Sequence, residues 1–426
     1  MRALGRTLLL LAALAACGIG SEIVVRLLGS IDVNGQFHLH GYWVRPRRLP
    51  VRSFEQNMRA YEKSPDNALG YDAELGWSPR PGHASADGLY RYDAIGARAD
   101  REYASEPDSG VVRVLLFGDS FTHGDLVALE DTFEEVAAAA VDESLQASPG
   151  GPPFTGVEIV NLGVPGYGFD QAYLRFHREA ERLHPDIVVL GFQPENVKRV
   201  TNIVRLFYYP LSGLPFSKPR FVLSRGNPGD GTDRVSETFA DDGDAPALSL
   251  VNQPCATPRE VAAIVRDPSA WTLCRYEAYF DEADYRPAWW RASRFLSFTA
   301  DVSEAHLRPE QSPFDPDAES ARITLALIDR FAQESEAMSA RFLVLHLPTY
   351  AYLDRWRKLG RLEYQDLWDT IGARHSVIGT ESALWQVCGD EPRALFHHYH
   401  YNELGHSAVA RVLADTLLVE MRRLTE

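Results

Sequence analysis

Apolar runs alternate with amphipathic stretches through most of the chain after residue 110. Runs of apolar, partly β-branched residues predict buried strands at 111–117, 157–161, 186–192 and 342–347. Apolar residues at helical spacing predict helices at 130–145, 171–183, 323–338 and 403–424. Strands that alternate with helices predict a mostly parallel sheet covered by helices on both faces. The expected fold class is therefore α/β, in which ligands bind beyond the carboxyl ends of the strands.

The N-terminus has the pattern of a targeting segment. Two arginines precede an apolar stretch at 8–16, and no acidic residue comes before Glu22. A Leu-Ala-Ala-Cys run ending at Cys17 resembles a lipoprotein signal, which would leave Cys17 lipidated. Alternatively, the segment continues through 23–25 as an uncleaved anchor. Either fate carries the rest of the chain out of the cytoplasm and predicts attachment to the membrane through the N-terminus.

The pattern divides the chain into three parts. Residues 1–28 are predicted to be a signal peptide, lipoprotein signal or membrane anchor, and 29–105 a linker or surface-laid arm with few periodic signals. Residues 106–424 are predicted to form the main domain, with an insertion at about 201–310. Within that insertion, the Gly/Asp-rich stretch 226–244 is predicted to be a solvated loop.

A candidate nucleophile follows the first predicted strand. The strand ends in Gly118-Asp119-Ser120. A serine just beyond a strand of an α/β sheet lies in the binding crevice, and it acts as a nucleophile when a base reaches it. For an isolated Gly-Asp-Ser the simpler interpretation is a turn-capping serine.

Three later loops carry groups that suit the same chemistry. A glycine-rich loop after Asn161 offers backbone N–H groups, including that of Gly166, although it also reads as an ordinary turn. Asn196 follows another strand and offers an amide for an oxyanion or a helix cap. His400 lies just before the last helix, where it can serve as a general base. Its neighbouring histidines suggest a metal site less strongly, because no carboxylate stands at ligand spacing among them, so no metal or cofactor is expected.

Taken together, these segments resemble the SGNH/GDSL hydrolase superfamily. Its four blocks are represented, in order, by Ser120, Gly166, Asn196 and His400, and the resemblance covers about 111–200 and 340–424. In detail, the chain resembles a membrane-tethered bacterial subgroup of this superfamily. The features that carry this resemblance are a hydrophobic N-terminus, a Glu-Leu-Gly-Trp segment ending at Trp77 and a Lys-Pro-Arg-Phe segment at 218–221.

The resemblance implies a fold and a chemistry. The fold is a flavodoxin-like, three-layer α/β/α sandwich with a parallel sheet and an inserted lobe. Ser120 is then the nucleophile and His400 the base. The backbone N–H groups of Ser120 and Gly166 form the oxyanion hole with the Asn196 amide.

The chain departs from the family pattern at two points. The third block reads Pro-Glu-Asn-Val and keeps only Asn196. The family's Asp shortly before the catalytic histidine is missing, and His397 or His398 stands in its place. The site is then a Ser–His dyad, borrows a remote carboxylate such as Asp390, or is inactive.

The expected function is that of an extracytoplasmic serine esterase acting on acyl esters, chiefly acetyl esters, of glycans or lipids. The alternatives are an O-acyltransferase that modifies an envelope polysaccharide and a catalytically impaired protein that binds glycan. A net charge of −16 and the absence of a Lys/Arg run argue against nucleic acid as a partner.

An extracytoplasmic location also permits disulfides. Cys255 and Cys274 close a short loop within the insertion and are predicted to pair, with Cys255–Cys388 as the second choice. Unpaired, Cys388 is expected to be a buried thiol.

Overall fold

The computed structural model describes residues 2–64, 67–147, 153–224, 247–307 and 311–425. The predicted loop 226–244 lies outside the described residues. The described strands are β1 (Gly29–Ile31), β2 (Phe37–Leu39), β3 (Tyr42–Trp43), β4 (Leu69–Asp72), β5 (Gly76–Pro79), β6 (Val111–Phe117), β7 (Gly156–Asn161), β8 (Ile187–Phe192), β9 (Phe221–Ser224), β10 (Ala247–Leu250), β11 (Arg341–His346), β12 (Ser376–Ile378), β13 (Phe396–His397) and β14 (His400–Tyr401). The described α-helices are α1 (Arg2–Leu28), α2 (Val51–Lys63), α3 (Ser120–His123), α4 (Phe133–Ala147), α5 (Phe169–Leu183), α6 (Glu195–Arg199), α7 (Arg205–Tyr208), α8 (Pro258–Ile264), α9 (Glu282–Tyr285), α10 (Arg294–Leu307), α11 (Glu319–Ala337), α12 (Tyr350–Leu359), α13 (Gln365–Arg374), α14 (Glu381–Cys388) and α15 (Glu403–Arg423).

The chain forms two compact units. The first, which we call the lobe, combines Met1–Lys63, Val204–Phe216 and Pro258–Gln311. The second, which we call the sheet unit, combines Ser64–Ile203, Ser217–Thr257 and Ser312–Glu426. This division differs from the predicted segments, because both 29–105 and the insertion 201–310 are shared between the two units.

Residues 29–63 of the lobe are not the linker that the sequence suggested. Strands β1, β2 and β3 form an antiparallel sheet, and α2 follows it. Phe37 and Leu39 lie two residues apart, so they point to the same face of β2, and both are buried with Val44. A strand of three residues is too short to give a clear alternating pattern, which explains why the sequence did not reveal this small core.

The sheet unit is built on five parallel strands in the order β12-β11-β8-β6-β7. Numbered along the chain, this is the 2-1-3-4-5 order of flavodoxin-like folds. The predicted α/β fold with a parallel sheet is confirmed. The edge strand β12 escaped prediction, because it has only three residues and two of them are exposed.

Alternate residues of the central strand β6 pack into two helical layers. Val114 and Leu116 belong to a core cluster with residues of α4 and α15. Phe117 points the other way and lies against Phe176 of α5 and Phe331 of α11. The sheet therefore has helices on both faces, which accounts for strands made mostly of apolar residues.

Asn161, the last residue of β7, joins two of the loops that leave the carboxyl edge of the sheet. Its side-chain amide donates to the carbonyl of Thr122, and its oxygen accepts from the backbone N–H of Gly163. A Cβ at Gly163 would lie 2.6 Å from the backbone nitrogen of His123. Only glycine lets these loops approach so closely.

Glu134 of α4 lies behind this junction and accepts a hydrogen bond from the Asn161 amide. Burial raises the pKa of Glu134 to about 7. The folded chain therefore holds this proton more tightly than the unfolded chain does. As a result, the free energy of unfolding is highest below the ordinary glutamate pKa and falls as pH rises through about 7.

Glu134→Gln should remove this loss, because an amide does not ionise and still offers an oxygen to Asn161. The melting temperature of the variant relative to the wild type should rise between pH 5 and pH 8. The corresponding gain in the free energy of unfolding is at most about 3 kcal/mol. The neighbouring Glu135→Gln, whose carboxylate pairs with Arg101 at the surface, is the matched control and should show no such trend. Thermal melts at both pH values measure the difference, and parallel behaviour of the two variants would contradict it.

Candidate active site

The structure brings Ser120 and His400 into hydrogen-bond contact at the carboxyl edge of the sheet. Asp119 caps the short helix α3 by accepting from the backbone N–H of Phe121, which fixes Ser120 at the first helical position. The Ser120 Oγ and the His400 Nε2 are 2.8 Å apart. Ser120 is 7% exposed, so its hydroxyl is nearly enclosed.

A two-stranded hairpin, β13 and β14, presents His400. His397 and His400 stand directly opposite each other in its register, and His398 occupies the turn with φ of 54°. The adjacent Tyr401 is buried, and its hydroxyl donates to the carbonyl of Pro348. The ring of Phe121 lies against both His400 and Tyr401. Packing therefore fixes the position of the imidazole.

The structure does not bring Asp390 to His400. The Asp390 side chain is 94% exposed and pairs with Arg357 at 3.0 Å. His397 points its Nε2 toward Glu403, at 3.3 Å. Among the described residues, no side chain hydrogen-bonds to the His400 Nδ1. In this part of the chain the geometry is that of a Ser–His dyad.

The three oxyanion-hole candidates are placed with their donors unengaged. Gly166 has φ of 82°, a conformation that favours glycine. Within the described residues, the backbone N–H groups of Ser120 and Gly166 have no protein acceptor. Asn196 lies in α6, and its Oδ1 accepts from Arg199 Nη1 at 2.7 Å. This contact turns the amide nitrogen of Asn196 away from Arg199, and the nitrogen makes no hydrogen bond to the residues described.

Arg199 is the residue that sequence reasoning missed at this site. Its Nη1 also donates to the Asp119 Oδ2 and to the carbonyl of Tyr167, each at 2.9 Å. Asp119 precedes Ser120, and Tyr167 follows Gly166. One guanidinium nitrogen therefore ties together the segments that carry all three candidate oxyanion donors. The i, i+3 spacing from Asn196 to Arg199 was the available signal, but it does not indicate the other two partners.

Two sequence segments without evident chemistry support the Gly166 loop. Trp77 donates from Nε1 to the carbonyl of Pro165 at 3.0 Å, and the Tyr167 hydroxyl donates to the carbonyl of Trp77 at 2.7 Å. Lys218 is buried, and its ammonium group bonds Asp170 at the start of α5. Trp77 of the Glu-Leu-Gly-Trp segment thus contacts the Gly166 loop, and Lys218 of the Lys-Pro-Arg-Phe segment holds the start of the helix that follows this loop.

A buried polar relay stands behind α3. The His123 Nδ1 lies 2.6 Å from the Asp125 Oδ1, and its Nε2 lies 2.9 Å from the Tyr92 hydroxyl. Burial lowers the pKa of His123, which keeps the ring neutral. Burial acts to raise the pKa of Asp125, but the hydrogen bond from His123 outweighs it and the net direction is downward. A neutral imidazole between a phenol and a carboxylate satisfies both of its nitrogens.

The last histidine of the 397–406 run has a structural role. His406 is buried, and its Nδ1 accepts from the backbone N–H of Phe133 at 3.0 Å. Burial lowers the pKa of His406 to about 3, so it stays a neutral acceptor. His397, His400 and His406 therefore serve three separate contacts.

The predicted disulfide is absent from the structure, in which all four cysteines are free thiols. Cys255 is buried, and its Sγ lies within hydrogen-bond distance of the carbonyls of Glu74 and Asn252. Its thiol is therefore used in holding the sheet unit together. Cys388 is only half-buried, contrary to expectation.

No protein-family model matches the chain, and no curated protein matches it. Solved structures do show similarity. LAE5, an alpha/beta hydrolase enzyme from the metagenome of Lake Arreo, Spain, is 13% identical, with a TM-score of 0.36 over 72% of this chain and 96% of its own. A putative lipolytic protein of the G-D-S-L family from Desulfitobacterium hafniense DCB-2 is 11% identical, with a TM-score of 0.30 over 71% of this chain and 98% of its own. Axe2, an acetylxylan esterase from Geobacillus stearothermophilus, is 13% identical, with a TM-score of 0.35 over 71% and 92%. Similarity this low leaves the chemistry to be argued from the geometry of the site.

Arg199 should act through Asn196, so the effects of removing them should not add. We expect Asn196→Ala to lower kcat on an aryl acetate by on the order of 10²-fold with little change in KM. Arg199→Ala should lose a similar factor, and the double variant should be no slower than the worse single. Arg199→Lys keeps a charge beside Asp119 and supplies a folded variant if the alanine form is unstable.

The control for this cycle is Arg182→Ala, which removes a half-exposed arginine that pairs with its helical neighbour Glu179. It should leave kcat and KM unchanged. Multiplicative losses in the double variant, measured with melting curves alongside, would show that Arg199 does not position Asn196.

Proposed function

We propose that this chain is a serine esterase of the SGNH type that acts outside the cytoplasm on acyl esters, chiefly acetyl esters, of glycans or lipids. The observation that carries the proposal is the 2.8 Å contact between the Ser120 hydroxyl and the His400 imidazole. Three donors that have no acceptor among the described residues, from Ser120, Gly166 and Asn196, come from the loops around this contact. A nucleophile, a base and an oxyanion site are the parts that acyl transfer requires.

The reaction follows from these positions. His400 Nε2 takes the hydroxyl proton of Ser120 as Oγ attacks the ester carbonyl. The carbonyl oxygen gains negative charge, which the three donors stabilise. His400 returns the proton to the leaving alkoxide, and an acyl-serine remains. A water molecule, activated by His400 in turn, releases the acid and restores Ser120. None of these steps requires a cofactor.

The dyad geometry bears on the expected rate. In a triad the carboxylate holds the imidazole in the required tautomer, and its loss lowers kcat by about 10⁴-fold in a serine protease. Here the ring of Phe121, which lies against the His400 imidazole, takes the place of a carboxylate in holding it. Turnover is therefore expected to be slower than that of a complete triad, but well above the uncatalysed rate.

A fluorophosphonate probe should label the wild-type protein at Ser120, and Ser120→Ala should abolish both labelling and hydrolysis of an aryl acetate. Removing a nucleophile lowers kcat by roughly three or more orders of magnitude. Ser144→Ala is the matched control, since the Ser144 hydroxyl of α4 donates to the carbonyl of Ala140 in its own helix and its loss should change neither readout. Retained activity in a Ser120→Ala protein with wild-type melting would refute the proposal.

The same assay separates the alternative functions. Turnover of an aryl acetate by the wild-type protein would exclude the catalytically impaired glycan-binding form. Acetyl transfer to an added oligosaccharide that exceeds hydrolysis would assign an O-acyltransferase, with the same Ser120 and His400.

His397→Asp should raise kcat several-fold at pH 8, where histidines are mostly neutral. Residues directly opposite in an antiparallel pair place their side chains on the same face, about 5 Å apart at Cβ, so a carboxylate at 397 lies beside His400. His398→Asp should gain less, because residue 398 occupies the turn. Asp390→Asn should have no effect, given its exposure and its pairing with Arg357.

These variants are compared by steady-state kinetics with matched melting curves. Two results together would mean that Asp390 completes a triad. Neither aspartate variant would gain in kcat, and Asp390→Asn would lower kcat as much as His400→Ala does.

A further inference from the structure

The last turns of α1 belong to the folded core of the lobe. Val25 is only 8% exposed and packs in a cluster with Phe37, Leu39 and Val44, against which Phe295 and Phe298 of α10 also lie. The helix therefore does not end in a flexible tether. Its C-terminal end is fixed to the elements that follow it.

Glu22 is the first acidic residue of the chain, and its carboxylate is bound by the beginning of α10. It accepts from the Ser293 hydroxyl at 2.7 Å and from the backbone N–H groups of Arg294 and Phe295 at 3.0 and 2.8 Å. Arg26 pairs with the same carboxylate and also donates to the carbonyl of Ala292. A charged residue in an apolar helix is thus accounted for by binding to the lobe.

The part of α1 before Glu22 is long enough to cross a bilayer. Among the described residues, one helix has the length and composition of a membrane span, Gly5–Leu28, with a mean hydropathy of 2.3. Residues 5–21 extend roughly 26 Å at 1.5 Å per residue, and a span takes about 17 to 25 residues. Glu22 must then emerge at the membrane surface, and the residues bound to it emerge with it.

The lobe residues next to Glu22 have the composition of a membrane interface. Trp289 is 90% exposed and lies in the same 3-10 helix, Trp289–Ala292, as the carbonyl that Arg26 binds. Trp290 lies under the guanidinium of Arg291, at 4.5 Å. Leu296, in the first turn of α10, is also exposed. Tryptophan at the headgroup level with arginine beside it is the arrangement found where helices leave a bilayer.

We propose that this face of the lobe, made by Trp289, Trp290, Arg294 and Leu296 and called here the exit face, lies in the headgroup layer of the membrane that α1 crosses. The partner is a lipid surface, because the exit face is continuous with an apolar helix of membrane-spanning length that the rest of the described chain leaves almost entirely uncovered. Lipidation at Cys17 leads to the same arrangement, since only residues 18–21 separate that cysteine from Glu22. The inference does not depend on the esterase chemistry.

The test uses the full-length chain in lipid nanodiscs that contain phosphatidylcholine brominated either near the glycerol end or near the methyl end of the acyl chain. Bromine quenches tryptophan emission at short range. The difference between the wild-type and Trp289→Phe spectra isolates one of the eight tryptophans of the chain. We expect this difference to fall at least two-fold with shallow bromine and much less with deep bromine.

Trp356→Phe is the matched control, because it removes a half-buried tryptophan of the sheet unit. Its difference spectrum should not change with either lipid. The proposal is overturned if the emission of Trp289 is insensitive to shallow bromine, or if aqueous iodide quenches it as strongly in nanodiscs as in the detergent-free denatured chain. Equal quenching of Trp289 and Trp356 would also overturn it, because it would show no specific contact of the exit face.

Discussion

One guanidinium nitrogen holds the site together. Arg199 Nη1 reaches Asp119, Tyr167 and Asn196, which lie on the loops after β6, β7 and β8. Parallel pairing brings these loops to one edge of the sheet but does not fix their separation. Burying the Asp119–Arg199 pair removes two charges from water, and a well-packed apolar pair is often as stable. Its value lies in geometry, because shifting any one loop breaks a hydrogen bond to a buried cation.

The parts of the molecule that depend on local pattern were predictable. The strand at 111–117 was predicted to the residue, and the bounds at 157–161, 186–192 and 342–347 are correct within one residue. These strands are buried on both faces, and most of them are followed by glycine or polar residues. The local sequence therefore shows both the apolar run of each strand and the position where it ends. Ser120 and His400 are 280 positions apart, and only the order of the four motifs related them before the structure did.

The parts that depend on which loops meet were not predictable from pattern. Arg199, Trp77 and Lys218 look like ordinary surface, aromatic or basic residues, and their roles come from partners far along the chain. The same limit explains why the predicted disulfide is absent. The sequence spacing of two cysteines suggests that their thiols are close, but it does not show which groups surround each thiol. Cys255 is enclosed by backbone carbonyls of the sheet unit, and the structure leaves it as a thiol. The strands within residues 29–63 were not predicted for a different reason. They have only two or three residues each, which is too short to show an alternating pattern of apolar and polar residues.

In the proposed Ser–His dyad, no side chain among the described residues hydrogen-bonds to the His400 Nδ1, so the orientation of the imidazole must come from other contacts. Orientation comes from the hairpin, where Tyr401 is tied to Pro348 and Phe121 packs against the imidazole. The acid of a triad orients the imidazole through one hydrogen bond. In the proposed dyad the same constraint comes from the register of the hairpin and from the ring of Phe121, which leave the His400 Nε2 facing the Ser120 hydroxyl.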